Sequence, residues 1–452
     1  MLYLIPGLIR HRITHRPNLL KIVKNIGWLF FDKILRMGVG LLVGVWIARY
    51  LGPQQFGLLS FATAFVSLFA AIAGLGLQGI VVRDIVRKPD SKMATLGTAA
   101  GLQFGGGLIA YGLILGTIFW LRPEDSLVRL LVAILGSVML FKASDVALYW
   151  FESQVLSKYT VWVQNGSFLV FAAIKVALML LNAPLIAFAW AMMAEALLVA
   201  ILMVAMLNWR GPGLRRLQVN LTRARQLLTD SWPLLLSGIA IVIYMKIDQI
   251  MLGLMIGDEA AGIYSAAVRI SELWYFIPMM IVASVFPSIL ETRKHSNALY
   301  YQRLQQLYDL MVWLSVGVAF PTLFFSTPVI KQLFGEAFSA SGPILAIHIW
   351  AAVFVFLGVA GSQWFLAENR QILHFQRTLL GALVNIALNG VLIPRFGPVG
   401  AAIATVISYA TAAFLADAFQ KETKQMFLMK AQALNIFSSI RRAVINTHAH
   451  DS

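Results

Sequence analysis

The chain has no cysteine, and Asp, Glu, Lys and Arg together make up only 12% of its 452 residues. The first absence excludes disulfides, thiolate metal sites and cysteine nucleophiles, and it leaves the compartment open. The second lies far below the quarter that a water-soluble domain carries. Seven scattered histidines show no HExxH-type spacing, so no metal site is expected, and no GxxxxGK[ST] run exists to bind ATP. "GLGLQG" (Gly74, Gly76, Gly79) matches a dinucleotide fingerprint by letters only, because it lies in an apolar stretch with no strand before it. The N-terminal "MLYLIPGLIRHRITHRPN" does not read as a signal peptide: its apolar run is short, basic residues follow it, and no small-residue cleavage site appears.

Hydrophobic residues make up 59% of the chain. They form stretches of about twenty residues, the length of a membrane-spanning helix. The pattern predicts an all-α polytopic membrane protein with spans near 26–50, 56–82, 93–121, 127–150, 159–181, 184–208, 232–256, 260–288, 306–327, 342–366, 373–394 and 398–420. Basic residues crowd alternate connections (Arg83, Arg87, Lys88, Lys92; Lys158; Arg210, Arg215, Arg216, Arg223, Arg225; Arg293, Lys294, Arg303; Arg370, Arg377) and both tails, whereas the opposite connections hold only Arg122, Arg129, Lys331 and Arg395. The positive-inside rule then places both termini in the cytoplasm. The formal net charge of +16 reflects topology and attraction to anionic lipid, so no nucleic-acid partner is needed. Residues 421–452 form a basic tail. Met426, Met429, Ala433, Ile436 and Ile440 share one helical face there, with Lys424, Lys430, Arg441 and Arg442 towards the other, the pattern of an interfacial helix.

The chain repeats itself. "LGPQQFGLLSFA" and "MIGDEAAGIYSAA" align Gly52 with Gly257, Gly57 with Gly262 and Ser60 with Ser265 at an offset of 205. Trp150-Phe151 aligns with Trp364-Phe365, and Pro184 with Pro398, at an offset of 214. Six spans are therefore written twice in the same orientation, a parallel repeat. The expected layout is an N-tail (1–25), an N-lobe (26–208), a basic linker (209–231), a C-lobe (232–420) and the tail. Gly52, Gly57, Gly257 and Gly262 mark the repeated turn, where glycine permits close backbone approach or positive φ. Gly40 and Gly44, and Gly101, Gly105, Gly112 and Gly116, read as small-residue packing stripes.

Ionisable groups inside spans cost roughly 2.5–3.5 kcal/mol each at a helix centre and so mark functional candidates. Asp32 with Arg36, Lys142 with Asp145, and Arg269 with Glu272 sit three or four residues apart, where local pairing is a sufficient explanation. Lys175, Glu195, Lys246 and Asp248 have no same-face partner in sequence and point to a cavity lining, an ion site or pairing between helices. Arg49 closes the first span.

Three segments carry a family resemblance: "IARYLGPQQFGLLSFA", "DQIMLGLMIGDEAAGIYSAAVRISE" and "NIALNGVLIPRFGPVGAAIATVIS". They resemble the first, seventh-to-eighth and eleventh-to-twelfth helix segments of lipid-linked oligosaccharide flippases, the O-antigen and polysaccharide-unit branch of the multidrug/oligosaccharidyl-lipid/polysaccharide exporter superfamily. Asp248, Gly253, Gly262, Tyr264 and Arg269 fit the middle segment, and Asn385, Pro394, Gly397 and Gly400 the last. The resemblance implies two six-helix lobes in a V around a cationic cavity, no catalytic residue, no cofactor, and an isoprenoid-pyrophosphate-linked glycan as substrate. It implies a cell-membrane location and work alongside polysaccharide assembly machinery. Lys142, Lys175, Lys246, Arg269 and Arg49 are then the cations expected to meet the diphosphate, and Glu195 and Asp248 the candidates for a coupling ion. A drug/cation antiporter would need acidic groups deep in one lobe, for which Glu195 alone is thin support. A membrane glycan polymerase or transferase would need larger exterior loops and converging carboxylates, and neither is evident.

Overall fold

The computed structural model describes residues 17–435, and those residues are helical almost throughout with no strand among them. In chain order the helices are α1 Pro17–Leu68, α2 Ala70–Gly74, α3 Leu77–Arg87, α4 Lys92–Leu121, α5 Ser126–Gly136, α6 Asp145–Ser153, α7 Ser157–Leu180, α8 Leu185–Arg210, α9 Leu221–Met255, α10 Asp258–Glu272, α11 Phe276–Thr292, α12 Asn297–Phe334, α13 Ser341–His348, α14 Ala351–Ala367, α15 Gln371–Ala413 and α16 Lys424–Leu434. Inside hydrocarbon each main-chain N–H and C=O must be satisfied within the segment, which is why long apolar runs fold this way.

Among the described residues, 10 helical runs are long and apolar enough to cross a membrane. Two are too long for one crossing. Phe30–Arg87 has 58 residues, about 87 Å at 1.5 Å per residue against a hydrocarbon layer of about 30 Å. Gly52 (φ 70°, ψ 173°) breaks it, and Gly397 (φ 57°, ψ −137°) breaks the 48-residue run Gln371–Ala418 in the same way. Divided at these glycines, the runs make twelve membrane-length segments. The second predicted span is further interrupted at Leu75 and Gly76, both left-handed. A Cβ on Gly76 would lie 2.8 Å from Leu235 N, so "GLGLQG" is a helix break against which α9 packs.

The repeat is written in backbone geometry. Gly52 and Gly257 both have positive φ with ψ of 173°. At the second register, Leu156 N donates to Phe151 O and Arg370 N to Phe365 O, 2.9 and 2.7 Å. Val155 and Asn369 just before them are both left-handed, φ 56° and 55°. These are two copies of one Schellman cap.

The chain packs as two compact units. The first comprises residues up to Leu51 together with Ala62–Ile239; the second comprises Gly52–Phe61 and the residues from Ala240 onward. The division departs from the expected lobe limits in two places. α9 begins at Leu221, inside the stretch read as linker, and its first part belongs to the first unit. Gly52–Phe61 belongs to the second unit because Gly57 packs directly on the α10 backbone.

In the first unit, Leu77, Val81, Leu96, Ala99 and Leu227 bury a core. The basic linker is fastened to it: Gln218 N donates to Met93 O (3.3 Å), Asn220 N to Thr98 Oγ1 (3.0 Å) and Arg223 to Asp84 (2.6 Å). Gly97 makes this possible, since a Cβ there would lie 2.4 Å from Gln218 O. The α4 glycines expected to pack are on the wrong face. Gly105, Gly112 and Gly116 meet nothing within 4 Å and Gly101 only Val219 at 4.0 Å, whereas Gly107 abuts Met139 O at 2.3 Å.

In the second unit, Tyr308, Met311, Phe356, Leu357 and Phe365 form a core, and α16 docks on it through Met426, Met429 and Ala433. Lys430 corrects the sequence reading, which put it on the polar face: it is 0% exposed. Its ammonium donates to Asp417 and to Ala413 O, while Arg377 holds the other Asp417 oxygen at 3.1 Å. Burial pushes the Lys430 pKa down to about 8 against the opposing pull of Asp417. Ile436, Ile440, Arg441 and Arg442 lie outside the described residues.

Candidate functional site

Three pairs of charges lie inside the spans of the first unit. Lys142, within a 3-10 stretch (Ser137–Ser144), meets Asp145 at 3.1 Å. Arg36 donates to Asp32 (2.9 Å) and also to Asn165 on α7 (3.0 Å). Lys175 on α7 meets Glu195 on α8 at 2.7 Å, with side chains 13% and 21% exposed. Sequence spacing could not show this pair because the two lie twenty positions apart with a turn between them. Arg49 is exposed and makes no ion pair among the described residues.

In the second unit, α9 carries Lys246 and Asp248 two residues apart, which turns them to different faces. Lys246 reaches Glu272 of α10 at 3.4 Å. Arg269, one turn before Glu272, lies over the ring of Phe56 at 5.9 Å. Thus Lys142, Lys175 and Lys246 each have a carboxylate within hydrogen-bonding range, and the cations form separate pairs within each unit.

Asp248 is different. It is 2% exposed and no ion pair reaches it among the described residues. Its shell is neutral: the Tyr264 hydroxyl donates at 3.0 Å, the Thr405 hydroxyl at 2.7 Å, and the Asn389 amide to the other oxygen. Asn385 Oδ1 in turn accepts from Asn389 at 3.1 Å. The local sequence explains the assembly. Asn385 and Asn389 are four apart on the first arm of α15. Gly397 and Pro398 turn the chain back, and Gly400, whose Cβ would lie 2.3 Å from Leu392 O, lets the second arm bring Thr405 beside them. Gly253 lets α9 approach Phe61, where a Cβ would lie 2.6 Å from the ring. Two shell atoms, Asn389 Oδ1 and Asn385 Nδ2, are buried without a partner. A carboxylate with carbonyl and hydroxyl oxygens around it has the donor set of a proton or a hard monovalent cation site. Asn389 and Thr405 escaped the sequence reading because neutral side chains in an apolar helix resemble tolerated polar residues; the four-residue spacing of Asn385 and Asn389 was the available signal. Ser271 and His348, 2.9 Å apart and buried, were also missed.

Residues 22–293 match the family described as polysaccharide biosynthesis protein. The chain belongs to that family. This polysaccharide biosynthesis protein is 23% identical over 400 residues to the Haloferax volcanii "Probable low-salt glycan biosynthesis flippase Agl15", with 84% of the chain and 80% of the relative covered. It is 24% identical to the Rhizobium meliloti "Succinoglycan biosynthesis transport protein ExoT", covering 74% and 67%. Among solved structures it is similar to the lipid II flippase MurJ in an inward closed conformation (TM-score 0.70, 15% identity, 91% of each chain). It is also similar to an inward-facing multidrug resistance MATE family transporter of the MOP superfamily (TM-score 0.69, 14% identity, 88% and 95%). At these identities the structures establish the fold of a multi-pass membrane transporter.

Proposed function

We propose that this polysaccharide biosynthesis protein is a flippase. It moves an isoprenoid-pyrophosphate-linked oligosaccharide from the cytoplasmic to the outer leaflet of the cell membrane, with both chain termini in the cytoplasm, and delivers it to the machinery of surface polysaccharide assembly. No bond is made or broken. The observation that carries this reading is the set of lysine–carboxylate pairs held within membrane spans. Such groups are retained where an anionic headgroup must be met in a low-dielectric setting. An arriving diphosphate takes over Lys142, Lys175 or Lys246 from Asp145, Glu195 or Glu272, replacing one charge-assisted hydrogen bond with another. Arg269 and the exposed Arg49 add positive charge.

Asp248 is the group we assign to a coupling ion, a proton or Na⁺, held with Asn389, Asn385 and Thr405 oxygens. The unpartnered Asn389 Oδ1 supports the fit. Glu195 is the second candidate, already neutralised by Lys175. An outward-moving anion also gains roughly 2.3 kcal/mol per charge per 100 mV of membrane potential.

The test uses vesicles containing the protein and a labelled isoprenoid-diphosphate glycan. Single alanine substitutions at Lys142, Lys175, Lys246, Arg269 and Arg49 are expected to slow flipping of folded protein; unchanged rates for all five reject the cation assignment. Asp248→Asn is expected to abolish any dependence on a Na⁺ or pH gradient, and retained dependence rejects the ion assignment.

A further inference from the structure

α11 and α12 pack side by side on either side of the turn from Thr292 to Asn297. Near that turn they bound a groove of about 450 Å³. Its apolar lining comes from Val285 and Ile289 of α11 and Leu299, Leu307 and Leu310 of α12; Ser288 of α11 and Gln302, Arg303 and Gln306 of α12 supply the polar lining. Arg303 is exposed and makes no ion pair among the described residues. Arg303 and Gln306 are three apart and share a helix face. Pro287 stands in the α11 wall between Val285 and Ile289. An interior proline removes a main-chain hydrogen bond and bends the helix there.

The single charge of the lining lies towards the turn, and the residues furthest from the turn are apolar. α12 has 38 residues, about 57 Å, so it extends well beyond a hydrocarbon layer of about 30 Å. Gln302 and Arg303 lie in its first two turns, at headgroup depth. Leu310 lies two turns further in, and Val285 two turns in from the end of α11. Arg303, the one charge in the lining, therefore lies nearer the turn than Val285 and Leu310, which make the inner end of the channel apolar.

We propose that this groove is a binding site for one anionic glycerophospholipid of the surrounding bilayer. Its phosphodiester sits against Arg303, Gln302 and Gln306, and the first part of one acyl chain lies along Val285, Ile289 and Leu310. One unpaired guanidinium balances one phosphodiester charge. A diphosphate would leave charge over, so the phospholipid is favoured above the carrier lipid. The site is independent of the transport reading, since a resident lipid is bound whatever the protein moves.

Native mass spectrometry of the full chain in mild detergent, with phosphatidylglycerol, phosphatidylcholine and farnesyl diphosphate added separately and in competition, tests the proposal. The wild type is expected to retain phosphatidylglycerol over phosphatidylcholine by about five-fold, the worth of one interfacial arginine. Arg303→Gln removes that preference, and Leu310→Trp, which fills the channel, reduces retention of both phospholipids. Lys294→Gln, outside the groove lining, leaves retention unchanged. Equal phosphatidylglycerol retention by wild type and Arg303→Gln overturns the site. Displacement of phosphatidylglycerol by farnesyl diphosphate at equal concentration overturns the choice of ligand.

Discussion

Gly57 and Gly262 lie backbone against backbone, and their contact is reciprocal. A Cβ on Gly57 would lie 1.7 Å from Asp258 O, and a Cβ on Gly262 would lie 2.0 Å from Pro53 O. Pro53 and Asp258 are themselves counterparts, each following the positive-φ glycine of its turn. The duplicated turn is therefore its own packing partner, and the repeat in sequence has a steric cause: each copy must keep glycine where the other's carbonyl arrives.

Alanine at either position is expected to displace a main-chain carbonyl, since no flexible side chain can give way. Overpacking of this kind costs roughly 1–3 kcal/mol and occasionally more. Gly57→Ala and Gly262→Ala should each lower the melting temperature of detergent-solubilised protein sharply. Gly112→Ala, in open space, should leave it unchanged or raise it, as helix propensity favours alanine by about 1 kcal/mol.

The Schellman cap at Val155 places a β-branched residue in the left-handed region, φ 56°, where its repeat counterpart has Asn369. Left-handed backbone costs non-glycine residues roughly 1–2 kcal/mol, and Asn tolerates it best among them. Val155→Asn is expected to stabilise the protein by about 1 kcal/mol, read as a rise in thermal midpoint; a fall contradicts the assignment of strain.

Much of this architecture is legible in the sequence. Apolar run length marks the spans, and loop charge and the offset of 205 mark the repeat, because each depends only on residue type and distance along the chain. Side-chain partnership depends on which helices become neighbours. Lys175 and Glu195 sit on different helices, and Lys246 takes Glu272 although Arg269 is nearer to it in sequence. The same limit hid Lys430, whose alternation with Met426 and Met429 looks amphipathic until Asp417 turns it inward. The glycines of α4 show the reverse error: Gly105, Gly112 and Gly116 of the expected stripe face open space, and Gly107, outside the stripe, makes the contact.

The Lys175–Glu195 pair separates structural pairing from ion coupling. Removing one partner of a largely buried pair leaves an unmatched charge and costs on the order of 3 kcal/mol, whereas replacing both with apolar residues is often neutral. Lys175→Met and Glu195→Met should each lower thermal stability, and the double substitution should restore most of it. If Glu195→Met alone is as stable as wild type, the pair has no structural role.

Lys430 gives stability a defined pH dependence. Its ammonium titrates at about 8 in the folded chain, against about 10.4 when unfolded. Below pH 8 both forms are protonated and the burial cost stands in full. Between about 8 and 10.4 the unfolded chain binds more protons than the folded one, so this group makes stability rise with pH. Lys430→Met should remove that rise, seen as the difference between wild-type and variant melting temperatures across the window.

The account's central claim is that a charged, lipid-linked glycan crosses the membrane through this protein. The most direct measurement is the leaflet distribution of a labelled isoprenoid-diphosphate oligosaccharide in vesicles containing the purified chain. The account predicts that label moves between leaflets faster than in protein-free vesicles, and that Lys246→Ala slows it about ten-fold, the equivalent of 1.4 kcal/mol in the transition. Label that stays in its original leaflet while the protein is folded and correctly inserted would contradict it.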